Sequence, residues 1–102
     1  MSSAQMRTKV MAARKRQLDR FAGTPFQFNS QLDTKGVEKY CALEGEVQTT
    51  FDEIPEARRL SARAYYRTIK VARTIADLED LDRIGSRQLM EALCYRDEKW
   101  LG

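Results

Sequence analysis

LSARAYYRTIKVARTIADL, residues 60–78, contains neither glycine nor proline and repeats its apolar residues at helical spacing. Ser61 precedes the run, where its hydroxyl can accept from the free amides of Arg63 or Ala64 and so cap a helix. At about 100° per residue, Ala62, Tyr65, Ile69, Ala72 and Ala76 form one apolar stripe, with Ala64, Val71, Ile75 and Leu78 as a second beside it. The spacing predicts a central helix, apolar over half its circumference. On its other face Arg63, Arg67 and Lys70 share a narrow arc, and Arg73 is set further round.

The flanking sequence repeats the helical pattern. Residues 3–21 place Met6, Val10, Ala13, Leu18 and Phe21 on a first helix, stopped by Gly23, Thr24 and Pro25. Phe26 and Phe28 in the following loop are expected to pack against helices. A short helix begins at Asp33 or Thr34 and carries Val37, Tyr40 and Cys41, weakened by Gly36. Another starts near Gly45 with Val47, Phe51 and Ile54 inward, and bends or ends at Pro55. Ser86 caps a last helix bearing Leu89, Met90, Leu93 and Trp100. With no strand pattern, the expected fold is all-α, a small antiparallel bundle of four to five helices.

The 102 residues suffice for one domain with a modest core, and 42% hydrophobic with 32% charged residues suits a folded chain. No stretch is apolar enough to span a membrane and no secretory signal opens the chain, so the cytoplasm is the expected compartment. Without histidine or paired cysteines, zinc sites, Ser-His-Asp triads and Cys-His dyads are excluded. Cys41 and Cys94 read as buried thiols.

The net charge of +3 is unevenly spread. Six basic residues against one acid, Asp19, lie between Arg7 and Arg20, and six against none between Arg58 and Arg73. Either face suits phosphate. The paired acids Asp52 and Glu53, or Asp80 and Asp82, read as solvated faces rather than as acid-base or cation sites. The five glycines stand singly and no strand precedes them, so no phosphate loop for nucleotide hydrolysis is present. Arg63 is the best phosphate candidate. It sits in the first helical turn, where unpaired amides and the helix dipole favour anions and a guanidinium can hold two phosphate oxygens.

Leu60 to Tyr65, LSARAY, resembles a signature of ComM/YifB-type magnesium-chelatase-like proteins. KVARTIADL, from Lys70 to Leu78, and MEALCYR, from Met90 to Arg96, are similar to the central and last helices of that family. Ser2, Ser3, Ala4, Arg7, Val10, Ala13, Arg14 and Gln17 resemble the segment that links its ATPase core to its lid, and Asn29, Gln31 and Leu32 its NxxL/M loop. The chain departs from the pattern between Asp52 and Arg59, at Pro55 and Arg59, and in the tail after Arg96.

The resemblance implies the C-terminal helical lid of an AAA+ ATPase, with residues 1–28 as linking helix and loop and 29–102 as the bundle, and with the ATPase core absent. The chain by itself is then not an enzyme. ATP and magnesium would be bound mainly by that core, and the partners would be the core and neighbouring subunits of a hexameric ring, acting on DNA and away from any membrane. Arg63 matches the family's sensor-2 arginine. Arg67 and Lys70, aligned below it, and Arg7 and Arg14, which resemble arginines near the subunit boundary, are candidates for support or interface roles. The rival reading is a free-standing helical module that binds DNA phosphates through its basic faces.

Overall fold

The computed structural model describes residues 2–95, which form six α-helices, one 3₁₀ turn and no strand. α1 runs Ser3–Arg20, α2 Thr34–Tyr40, α3 Gly45–Glu53, α4 Pro55–Arg58, α5 Ala62–Leu78 and α6 Ser86–Cys94, with the 3₁₀ turn at Asn29–Gln31. The fold is all-α, as expected. Pro55 opens a separate four-residue helix instead of bending α3, and this split carries the count to six.

Local chemistry accounts for most of the boundaries. α1 begins in a capping box, in which the Ser2 hydroxyl accepts from the Gln5 amide at 3.1 Å while the Gln5 side chain accepts from the Ser2 amide at 3.0 Å. Asp33 caps α2 by accepting from the Gly36 amide at 2.8 Å, and Ser61 caps α5 by accepting from the Ala64 amide at 3.2 Å. α5 ends in a Schellman turn: the Leu81 amide donates to Ala76 and the Asp80 amide to Asp77, with Asp80 at φ 61° in the left-handed position. α6 is capped differently from the expectation. Gly85 rather than Ser86 precedes its first residue, and the Gln88 side chain reaches back to accept from the Gly85 amide at 2.8 Å.

α5 is the spine. α6 and the second half of α1 pack along it, and α2 and the 3₁₀ turn close one side. The core gathers Phe21, Leu32, Val37, Phe51, Ile69, Ala72 and Leu89 around it. Phe51, 1% exposed, contributes about 2–3 kcal/mol by burial alone. Edge-on contacts from Phe26 and Tyr40 hold the Phe21 ring from two sides.

Several side chains read as inward are not. Of the α1 stripe only Ala13 and Phe21 are buried, whereas Met6 and Val10 on the first half of the helix and Leu18 on the second stay in solvent. Phe28 and Met90 are also exposed, the first pointing away from the body that its neighbour Phe26 joins. Cys41 is buried as expected, but Cys94 is exposed near the end of α6. Trp100 lies outside the described residues.

Candidate functional site

The face of α5 opposite the core forms the floor of a groove of about 1340 Å³. The N-terminal half of α1 (Met6, Lys9, Val10) is one wall, the segment Ser30–Thr34 lines one end, and Glu91 and Tyr95 of α6 the other. Arg63, Arg67 and Lys70 all line this groove. With Thr74 they fall within an arc of about 60° at helical periodicity and make a ridge along it.

The three cations differ in their surroundings. Arg63 is exposed, at the second residue of α5, and has no ion pair or side-chain hydrogen bond among the described residues. The Ser61 cap satisfies the Ala64 amide and leaves those of Ala62 and Arg63 to partners outside the helix. Arg67 is half-buried, one turn on and likewise without a partner among the described residues. Lys70 is committed within the fold: its Nζ donates to the carbonyls of Ser30 at 3.3 Å and Leu32 at 3.1 Å, holding the end of the 3₁₀ turn against α5. Arg7 and Arg14 stand exposed on α1 and neither lines the groove.

Behind the ridge lies a polar cluster that the periodicity did not anticipate. The Asp77 carboxylate, fully buried, accepts from both terminal nitrogens of Arg20 at 2.7 and 2.9 Å and from Asn29 Nδ2 at 2.9 Å, and pairs with Arg73 at 3.1 Å. Arg73 is therefore no extension of the basic edge. It is 4% exposed and donates to the carbonyls of Leu81 and Asp82 at 2.7 and 2.9 Å, fixing the turn between α5 and α6. Burial pulls its pKa down, against the Asp77 charge that raises it, and its Nε has no hydrogen-bond partner. The Gln17 side chain accepts from the Asn29 amide at 2.9 Å and completes the link between α1, the 3₁₀ turn and α5. One signal was available in the sequence: Asp77 stands four residues after Arg73 on α5, the spacing at which an acid and a base pair on one helix face.

The acid pairs also have local partners. Arg16 holds Asp80 and Asp82, each at 2.9 Å, and keeps the Asp82 carboxyl below the usual carboxylate range through their hydrogen bond. Asp52 accepts from Gln48 and from the Tyr65 hydroxyl at 3.0 Å. Among the described residues no three His, Cys, Asp or Glu side chains gather as metal ligands, and no helix is long and apolar enough to cross a membrane.

Comparison with known proteins assigns the family. The family model for the magnesium chelatase, subunit ChlI C-terminal, matches residues 1–96. The chain belongs to this family. The chain is 40% identical over 95 residues to the protein YifB of Escherichia coli K12 and 40% identical over 95 residues to the competence protein ComM of Haemophilus influenzae. In each case the match takes in 93% of the chain and 18% of the relative, so the chain spans less than a fifth of the proteins it resembles. No solved structure matches it. Within this chain the LSARAY residues form the cap and first turn of α5, and KVARTIADL supplies both part of the groove floor and the buried Arg73 and Asp77.

Proposed function

We propose that this domain is the lid of a ComM/YifB-type AAA+ ATPase and that Arg63 is its sensor-2 residue, contacting the terminal phosphates of a nucleotide bound by the ATPase core. One observation carries the reading. Arg63 is an unpaired, exposed guanidinium at the mouth of a groove, beside the free amides of a 17-residue helix whose dipole directs positive potential to the same place. ATP with magnesium, held mainly by the core, would supply the phosphoryl chemistry. Arg63 stabilises charge that develops on the phosphate, and Arg67 sets the potential one turn behind it. Lys70, Arg20, Arg73 and Asp77 act by holding α5 rigid, so that a shift at its first turn moves the whole lid.

The lid couples hydrolysis to motion between neighbouring subunits of a hexameric cytoplasmic ring, and Arg7 and Arg14 on the outer face of α1 are available to that boundary. The Haemophilus relative is a competence protein, which supports DNA as the substrate that the ring remodels. The test is ATP turnover by the complete protein carrying Arg63→Ala, with ring assembly followed by light scattering. Turnover is expected to fall by about two orders of magnitude while nucleotide binding and assembly persist. Unchanged turnover would remove Arg63 from the phosphate site.

A further inference from the structure

We infer that the groove between α1 and α5, beyond the Arg63 end, is a docking site for an acidic amphipathic helix of a partner protein. The first observation is an interrupted register. Met6 and Val10 continue, at spacings of three and four residues, the α1 stripe on which Ala13 and Gln17 are buried, yet they are 56% and 42% exposed and line the groove. Val71, Ile75 and Leu78 of α5 line the same groove, half-buried, with Val71 and Ile75 packed against the core on their other side. Two helices that diverge with their apolar faces turned to a common space create the setting for a third.

From Arg67 to Leu78 the α5 floor runs about 17 Å at the helical rise, the length of a three-turn helix.

Charge selects the occupant. Lys9 and Arg67 line the groove and have no acid partner among the described residues, whereas Glu79 and Glu91 at the far end are both held by Arg87. Asp33 also lines the groove, its carboxylate capping α2 on the Gly36 amide, and against these three acids Lys9, Arg63, Arg67 and Lys70 leave the lining net positive beside its apolar residues. A partner helix with leucine-type residues on one face and carboxylates beside them complements both features.

The test is fluorescence anisotropy with a labelled amphipathic peptide of about 15 residues, leucines at helical spacing flanked by glutamates, titrated with the intact chain. Saturable binding with a Kd on the order of 10 µM is expected, weakened about tenfold or more by Val10→Glu and by Arg67→Glu. Val10 is exposed, so its replacement leaves the core intact. Arg63→Ala should change the affinity by less than about threefold, which separates this site from phosphate sensing. Equal binding of a lysine-for-glutamate peptide, no binding of the acidic peptide, or insensitivity to both substitutions overturns the proposal. So does displacement of the peptide by a single-stranded oligonucleotide, or a dimer of the chain that Val10→Glu dissociates.

Discussion

At the scale of single residues, Asp77 decides more than its place in the sequence suggests. It is the one carboxylate between two buried or half-buried arginines, and removing its charge leaves Arg20 and Arg73 facing each other without compensation. Asp77→Asn should therefore lower the unfolding free energy by about 3 kcal/mol, read from urea denaturation followed by circular dichroism. A loss under about 1 kcal/mol would mean that water already screens the pair. The two cysteines offer a second check. Burial pushes the Cys41 thiol up to about 11, opposed by Arg73 and Arg20, so it stays protonated and unreactive at pH 8, whereas Cys94 is open to solvent. A disulfide-exchange reagent at pH 8 should titrate one thiol quickly and the second only on unfolding. The neutral buried thiol also contributes stability below its unfolded pKa of about 8.5, a contribution lost as pH rises toward 11. Both cysteines sit in the same kind of helical pattern, so sequence could not separate them. What differs is the neighbour, since α5 covers Cys41 and nothing among the described residues encloses Cys94.

At the scale of elements, position was far more legible than coverage. Ser61, Asp33 and Pro55 mark boundaries through local hydrogen bonding or a missing donor, effects that act within a few residues, and the helices begin where those residues place them. Periodicity, by contrast, states which side chains share a face but not whether another helix lies over it. That is why Met6, Val10 and Met90 read as core and are exposed, and why Arg73, read as an outlier of the basic edge, is buried. Gly36 is a case in which the local rule and the packing diverge. Helix propensity favours alanine there by about 1 kcal/mol. A Cβ would lie 2.8 Å from Leu32 Cδ2 and 3.3 Å from its Cβ, and Leu32 is only 4% exposed and has little room to turn. Overpacking of this kind costs about 1–3 kcal/mol, so Gly36→Ala is expected to destabilise by about 1 kcal/mol net. A thermal melt that rises instead would show that Leu32 can give way.

At the scale of the whole molecule, the question is how far the body extends into α1. The first two turns of that helix contribute no buried side chain, and its N-terminal half serves only as a groove wall. The second half is different. Gln17 and Arg20 bond to Asn29 and Asp77, and Phe21 is 2% exposed between Phe26 and Tyr40. These contacts cross from the end of α1 and the loop after it into the rest of the bundle, so the two should unfold together. Removing residues 2–11 is expected to change the unfolding free energy by less than about 1 kcal/mol, because only exposed side chains leave. Removing residues 1–28 takes Arg20 from Asp77, Gln17 and Arg20 from Asn29, and a large core aromatic, a loss of about 3–5 kcal/mol for the ring alone. That approaches the total stability of a domain this size, so the shorter chain should lose its cooperative urea transition. If it keeps a sharp transition, α1 is an arm laid on a finished bundle, and in the proposed lid any pivot can lie after it. If the transition is lost, α1 moves with α5 as one rigid unit, and any pivot lies before the point where Ala13 enters the core.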